Sequence, residues 1–209
     1  MRMASQFDPV PACFCGVEFL PIPRLERIVS ERIRKFEHVT KQKAEFPIDI
    51  ETIVEVVESI HVDYFGETSE FDSDVLGVYD FSNKKMYIRE SIDNNGRRRF
   101  TWAHEYGHVV LHSGHFLQQV FDFFEDANDG AVQLHRGQTD TRNMLEWQAN
   151  QFASHMLMPT RLVRDAFDQV RHTLSANQLI SQLATVAEVS IQASRIRLEQ
   201  IGWVEKARF

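Results

Sequence analysis

Between residues 24 and 60, apolar residues recur every three to four positions, which is the spacing of one buried face of an α-helix. The pattern predicts a charged amphipathic helix over residues 24–45 and a second helix, opened by Pro47 and Asp49, over residues 50–60. Four of the six prolines lie within residues 1–23, which predicts an irregular tail before the first helix.

Short runs rich in β-branched and aromatic residues follow, and they predict three strands, at residues 61–65, 75–81 and 84–89. Ser82 and Asn83 separate the last two strands and suit a tight hairpin turn. Residues 93–96, Asp-Asn-Asn-Gly, predict a loop that ends the strand region.

Helical periodicity returns in the second half of the chain. It predicts a helix over residues 98–112, another over residues 144–158 that Pro159 stops, and two or three more between residues 160 and 202. Residues 116–124 are apolar and aromatic, and the polar residues 125–141 predict a loop. We therefore expect a tail at residues 1–23, a globular core at residues 24–173 and a C-terminal helical segment at residues 174–209.

The C-terminal segment has the pattern of two helices around a turn at residues 188–190, as in a helix-turn-helix. The predicted core of this pair consists of Leu179, Leu183, Val186, Ile191, Ile196 and Leu198. Arg195, Arg197 and Lys206 supply positive charge near this pair of helices, and three glutamates lie beside them. We therefore favour packing against the core, or pairing with a substrate, over DNA binding.

Composition limits the classes of function. The 209 residues, 43% hydrophobic and 25% charged, are typical of one globular domain or one domain with small appendages. A net charge of −7 provides no global positive field for nucleic acid or anionic lipid. Asp8, Pro9 and Pro11 interrupt any secretory signal, and no apolar run is long enough to span a membrane, so a cytoplasmic location is predicted.

The two cysteines, Cys13 and Cys15, are one residue apart, which is a poor spacing for a disulfide. The chain has no second pair that would complete a structural zinc site, so we interpret them as part of the tail. Such sparse cysteine usage fits a reducing compartment.

The most specific pattern in the chain is His104-Glu105-Tyr106-Gly107-His108, inside a predicted helix. Residues four apart lie one turn apart on the same helix face, so both imidazoles can reach one metal ion. Glu105 projects about 100° round the helix, where its carboxylate can hold a water at the metal without being a ligand. Zinc peptidases use this arrangement. A helical histidine pair can also be exposed and idle, but apolar residues surround this one.

Catalytic zinc needs a third protein ligand and an open fourth position. Glu146 is our candidate, because the next predicted helix can present it to the metal, and Glu125 and Asp126 are the alternatives. Asn150 lies one turn after Glu146 and can hydrogen-bond a ligating histidine, which would fix the tautomer of that histidine.

Further histidines lie near the motif. We interpret His112, one turn after His108, as a group that supports a ligand or as a surface residue rather than as a ligand. His115 and His135 are alternative ligands.

Residues 97–99 form a compact run of three arginines at the start of the helix predicted over residues 98–112, which carries the histidine pair and is called the metal helix below. We interpret this run as an internal ion pair or a solvated helix start, rather than as a contact with an acidic substrate.

Four stretches give the chain a resemblance to the ImmA/IrrE family of zinc peptidases. They are residues 99–108 continuing to His112, residues 146–153 continuing to Pro159, the strand and Asn/Asp-rich loop before the metal helix, and a C-terminal pattern from Leu183 to Gly202. The resemblance covers about residues 45–203 and leaves out the tail and residues 113–141. Members often carry a second acid in the second stretch, where this chain has Gln148.

The resemblance implies an α+β fold, with a minimal zincin-like core, a small three-stranded sheet beside the metal helix and C-terminal helices. It also implies Glu146 as the third ligand, in agreement with the spacing. One Zn²⁺ per chain on His104, His108 and Glu146 is therefore expected, with Glu105 as general base and then as proton donor to the leaving amine. Tyr106, His112 and His115 are candidates for stabilising the oxyanion.

Family members typically cleave a helix-turn-helix transcriptional repressor, so the resemblance implies an endopeptidase with a regulatory protein as substrate. The alternative is a protein that keeps the fold and modulates a transcription factor without cutting it. We also expect the strand at residues 85–89 to be a sheet edge that receives the substrate, because it precedes the metal helix.

Overall fold

The computed structural model describes residues 19–66, 71, 75–80, 83–112 and 141–205. The elements, in chain order, are α1 (Ile22–Thr40), α2 (Ile50–Thr52), β1 (His61–Phe65), β2 (Gly77–Asp80), β3 (Lys85–Arg89), α3 (Asn95–His112), α4 (Thr141–Leu157), α5 (Thr160–Phe167), α6 (Ala176–Ala187) and α7 (Ile191–Ile201). Helix α2 continues as a π-helix over Ile53–Val57. The predicted α+β fold, a small sheet with helices, is confirmed.

The three strands form a mixed sheet in the order β1-β3-β2. Strand β3 pairs in parallel with β1 and antiparallel with β2. The prediction that β3 is an edge strand is therefore wrong, because both of its sides are hydrogen-bonded. Its residues Met86 and Ile88 are completely buried, as befits a central strand. Among the described residues, β1 and β2 form the two edges.

Two of the predicted helices have different ends or geometry in the structure. Helix α1 ends at Thr40, five residues early, because Lys41 adopts the left-handed conformation with φ 60°. The helix predicted over residues 50–60 changes to π-helical geometry, in which Glu58 N–H donates to the Ile53 carbonyl at 3.1 Å.

The metal helix α3 begins three residues earlier than predicted. The Asn94 side chain accepts a hydrogen bond from the Arg97 backbone N–H at 2.9 Å and so caps the helix. Asn95 and Gly96, predicted as loop, therefore belong to the first turn of α3.

Helices α3 and α4 pack closely, and Gly107 allows it. A Cβ at this position would lie 3.1 Å from Phe152 Cδ1 and 3.3 Å from the Ala149 carbonyl oxygen. Helix α1 covers another side of α4, and its buried residues Leu25 and Ile33 point inward. The functional helices thus lie inside the fold rather than on its surface.

Helices α5 to α7 form a second apolar cluster with the end of α4. Its buried residues are Met158, Val163, Phe167, Leu179, Ile180, Leu183, Ala187 and Leu198. Val186 and Ile191, predicted as core, are instead 39% and 55% exposed. The buried face of α6 consists of Leu179, Ile180, Leu183, Ala184 and Ala187, and Val186 lies at its edge, about 90° from its centre, where it is partly exposed.

The arginine run has an internal role at one of its members. Arg99 is 9% exposed and donates a hydrogen bond to the Ile48 carbonyl at 2.7 Å. Its Nε lies 3.9 Å from the Glu188 carboxylate, and Asn95 donates to the same carboxylate at 2.7 Å. The interpretation as an internal ion pair is confirmed for Arg99, and it connects α3 to the α6–α7 turn.

Across the part of the chain that the structure describes, no helix combines the length and the apolar character that crossing a membrane requires.

Candidate metal centre

Three candidate ligand atoms meet between α3 and α4. His104 Nε2 lies 3.0 Å from His108 Nε2. Glu146 Oε2 lies 3.2 Å from His104 Nε2, and Glu146 Oε1 lies 3.6 Å from His108 Nε2. The helical spacing of the histidines creates the first contact, and the close packing of α4 creates the other two.

These separations suit one tetrahedral zinc ion. Zinc bonds of about 2.0–2.1 Å place neighbouring tetrahedral ligands roughly 3.3 Å apart, and the observed separations are 3.0, 3.2 and 3.6 Å. Glu146 Oε1 is buried and has no hydrogen-bond partner among the described residues. Two imidazoles and a carboxylate form a donor set that zinc accepts, so the residues fit the metal.

Glu105 lies beside this set and is completely buried. Neither of its carboxylate oxygens has a hydrogen-bond partner within the described ranges. Burial raises the pKa of Glu105 to about 8, and the nearby Glu146 carboxylate also raises it, while His104 opposes them. An orphaned buried carboxylate is costly, which indicates a functional group rather than a structural one.

A glycine on the neighbouring strand makes room for Glu105. A Cβ at Gly77 would lie 2.7 Å from Glu105 Cγ and 2.9 Å from Thr101 Cγ2, closer than carbon atoms pack. Sequence reasoning missed this contact, because Gly77 lies on β2, far from the motif in the chain, and only the packing of β2 on α3 brings them together.

Each histidine of the pair has a hydrogen-bond partner on its other ring nitrogen. His104 Nδ1 lies 2.9 Å from Asn150 Oδ1, the contact predicted from spacing. His108 Nδ1 lies 3.0 Å from His112 Nδ1, and His112 Nε2 lies 3.0 Å from Gln148 Oε1. His112 is fully buried, so its interpretation as a surface residue is wrong, and its interpretation as a group that supports a ligand stays a prediction.

The pKa shifts of His108 and Glu146 favour the forms that bind metal, whereas the raised pKa of His104 favours imidazolium, whose proton a metal ion must displace. Burial lowers the pKa of His108 to about 4 and that of His112 to about 3. Burial alone would lower the pKa of His104 and raise that of Glu146, but their mutual hydrogen bond and charge reverse both shifts. Neutral imidazole and ionised carboxylate are the forms that bind metal.

The remaining candidates lie elsewhere. The Tyr106 hydroxyl donates to Glu58 Oε1 at 2.8 Å, and Tyr106 projects about 200° round α3 from His104. Tyr106 is therefore wrong as an oxyanion stabiliser in this geometry, and His112 is bound on both ring nitrogens. Outside the described residues lie His115, His135, Glu125, Asp126, Cys13 and Cys15.

Gln148 was noted in the sequence only as a departure from the family pattern. The structure gives it a partner, His112, and buries it to 1% exposure. The available signal was a single amide among the apolar residues Leu145, Ala149 and Phe152, which a buried helix face does not tolerate without a hydrogen bond.

Comparisons with known proteins identify the fold and the family of the chain. No curated protein matches the chain. Among solved structures, a Mycobacterium tuberculosis transcriptional regulator has the same fold, with a TM-score of 0.53 and 16% sequence identity over 86% of this chain and 52% of that one. This chain thus spans about half the length of the regulator.

A profile of the IrrE N-terminal-like domain, Peptidase M78, matches residues 48–199. That range includes the histidine pair, Glu105 and Glu146, and it runs from before the sheet to the last helix. The match covers well over half of the chain, and the three-stranded sheet and paired helices have the zincin-like arrangement that the resemblance implied. The chain therefore belongs to the IrrE N-terminal-like family of metallopeptidases.

Proposed function

We propose that this chain is a zinc-dependent endopeptidase. The observation that supports the proposal most is the convergence of three ligand atoms beside Glu105, whose oxygens accept no hydrogen bond from the described residues. A structural cluster would satisfy such groups internally. A hydrolytic site needs them available for a metal ion and for a water molecule.

His104, His108 and Glu146 would hold one zinc ion. When bound, zinc supplies Lewis acidity, which polarises a carbonyl and lowers the pKa of water to about 7. Glu105 accepts a proton from the attacking water, whose oxygen bonds to the scissile carbonyl carbon. Glu105 then delivers that proton to the amine nitrogen as the peptide C–N bond breaks. Glu105 must be ionised to act as a base, and a dication held by the three ligands would lower the pKa that burial raises to about 8.

We further propose a transcriptional repressor as the substrate, met in the cytoplasm. The resemblance to repressor-cleaving peptidases supports this substrate class, and a protein of the same fold bears the name transcriptional regulator. Cleavage of the repressor would relieve repression. The alternative, regulation of a transcription factor without cleavage, shares the metal but does not need Glu105 as a base.

The first experiment measures zinc per chain after reconstitution and removal of free metal. The parent is expected to hold one zinc, and Glu146→Ala is expected to lose it while its circular dichroism spectrum is retained. Glu26→Ala is the matched control, because Glu26 also lies beside a buried histidine of α4, His155, at 3.7 Å. A parent without zinc, or a Glu146→Ala variant with full zinc content, would refute the three-ligand site.

The second experiment tests the chemistry. Purified helix-turn-helix repressors are incubated with parent and Glu105→Gln, and fragments are identified by mass spectrometry. Glu105→Gln should retain zinc and lose about 10²–10⁴-fold in cleavage rate, because it can neither accept nor donate the proton. Equal rates would overturn Glu105 as the base. A zinc-loaded parent that binds a repressor and leaves it intact would favour the non-cleaving alternative.

A further inference from the structure

A chain of hydrogen bonds runs behind His108, away from the ligand side. His108 Nδ1 contacts His112 Nδ1 at 3.0 Å, and His112 Nε2 contacts Gln148 Oε1 at 3.0 Å. All three side chains are nearly completely buried, at 0%, 0% and 1% exposure. Water is thus kept from these atoms, and their donors and acceptors must match one another.

The chain of hydrogen bonds has one consistent direction. The Gln148 carbonyl oxygen only accepts, so His112 Nε2 must carry a hydrogen. A neutral His112 then has a lone pair on Nδ1, and His108 Nδ1 must donate to it. The remaining nitrogen of His108, Nε2, consequently presents its lone pair toward His104 and Glu146, as a metal ligand must.

We propose that His112 and Gln148 are positioning residues, which fix the tautomer and ring orientation of His108 so that its Nε2 is always available as a ligand. Helix α4 thereby contributes to the metal centre twice, with the ligand Glu146 on one side and the terminal acceptor Gln148 about 200° round the helix. His112 contacts Nδ1 of His108 rather than its ligating Nε2, and Gln148 contacts only His112 in this chain of hydrogen bonds.

The two histidines of the pair are supported differently. His104 Nδ1 contacts Asn150 Oδ1 at 2.9 Å, on a half-buried residue of α4. His108 has a partner that is itself a histidine, whose tautomer depends in turn on Gln148. An acceptor at residue 148 is therefore required, and either an amide or a carboxylate can provide it.

The tautomers are measured first, in metal-free parent protein labelled with ¹⁵N-histidine, by long-range ¹H–¹⁵N correlation spectra. We expect His108 to carry its hydrogen on Nδ1 and His112 on Nε2. In Gln148→Leu the acceptor is gone, and both rings should become tautomer mixtures. This measurement does not depend on zinc, so it tests the hydrogen-bond chain even if the proposed function fails. A His108 ring protonated on Nε2 in the parent would overturn the proposal.

Zinc affinity is measured next, by competition with a chromophoric chelator, and this part rests on the proposed function. Gln148→Leu and His112→Phe should bind zinc about 10–100-fold more weakly. Gln148→Glu keeps the acceptor and should bind at least as tightly as the parent. His155→Phe is the matched control, since it removes another buried histidine of α4 outside the chain of hydrogen bonds, and its affinity should be unchanged.

Thermal unfolding of each metal-free variant separates positioning from a loss of folding. A purely structural role predicts that His155→Phe and His112→Phe lower the affinity alike, or that Gln148→Glu fails to restore it in a folded protein. Either result, or parent-like affinity in Gln148→Leu, would refute the proposal.

Discussion

Helix α4 takes part in two regions where a glutamate lies beside a buried histidine: it contributes Glu146 to one and His155 to the other, where Glu26 of α1 is the glutamate. The two regions differ in their source of positive charge. In the metal centre, Glu146 approaches His104 at 3.2 Å and His108 at 3.6 Å. In the second region, which we name the C-terminal cluster (Glu26, His155, Thr160 and Arg197), Glu26 lies 3.7 Å from His155. Both regions pair a glutamate with a histidine, but among the described residues only the C-terminal cluster also contains an arginine.

The C-terminal cluster contains its own cation. Arg197 of α7 is 1% exposed and donates to Glu26 Oε1 at 3.2 Å, to Thr160 Oγ1 at 2.6 Å and to the Met158 carbonyl at 2.9 Å. In the metal centre, the described residues place no arginine or lysine in ion-pair distance of Glu146. A histidine and a carboxylate thus indicate a metal site only where the protein supplies no guanidinium or ammonium group of its own.

The largest effect within this comparison is expected from removing that internal cation. Arg197→Met keeps much of the side-chain volume but leaves the Met158 carbonyl and Thr160 without their donor. We expect a loss of about 2–4 kcal/mol in unfolding free energy, toward the lower end because Glu26 is partly exposed. Urea-induced unfolding measures it, and zinc content should stay that of the parent.

Arg195→Met on the same helix is the control, because Arg195 lies nearer the surface, and its change should be within about 0.5 kcal/mol. Equal losses in the two variants would show that the guanidinium of Arg197 has no special role. Loss of zinc in Arg197→Met would show that the two regions are not independent.

A second difference is that Glu26 is held by hydrogen bonds, whereas Glu105 is held by packing alone among the described residues. Gly77→Ala would introduce a Cβ 2.7 Å from Glu105 Cγ. We expect a loss of about 1–3 kcal/mol in unfolding free energy, measured by urea-induced unfolding, because Glu105 and Thr101 must shift to make room.

Gly66→Ala is the matched control, since a Cβ there meets no atom within 4 Å. It should change stability by less than about 0.5 kcal/mol or increase it slightly. A Gly77→Ala variant as stable as Gly66→Ala would mean that Glu105 has room to move, contrary to the packing.

Local spacing predicted the parts of the site that depend on one helix. Two histidines four residues apart on an α-helix must lie on the same face, and Asn150 follows Glu146 by the same spacing. The approach of Glu146 to the pair depends on how α4 packs on α3. Spacing alone left Glu146, Glu125 and Asp126 as candidates for the third ligand, and the family resemblance favoured Glu146.

Contacts between elements account for what the sequence did not predict. Strand β3 precedes the metal helix in the chain, but hydrogen bonding on both sides makes it central, because sheet order depends on long-range pairing. Gln148 was not recognised as a partner of His112 for the same reason. The π-helix at Ile53–Val57 buries apolar residues at nearly α-helical spacing, so periodicity alone does not distinguish it.

The smallest effect concerns the pH dependence of stability in the C-terminal cluster. Burial, together with the charge of Arg197, lowers the pKa of His155 to about 4, against the nearby Glu26 carboxylate. Between pH 6.5 and pH 4 the unfolded chain binds a proton at this histidine that the folded chain does not bind. Stability therefore falls as pH falls through this window.

Replacing His155 with Gln removes this proton from both states. Unfolding free energies of metal-free parent and His155→Gln are compared at pH 7.5 and pH 5, so that shared contributions from His108 and His112 cancel. Between pH 7.5 and pH 5, the unfolding free energy of the parent should fall by about 1–2 kcal/mol more than that of the variant. The sign is decisive: if the parent gains stability relative to the variant on acidification, His155 binds its proton in the folded state through Glu26. The C-terminal cluster would then resemble the His104–Glu146 pair instead of contrasting with it.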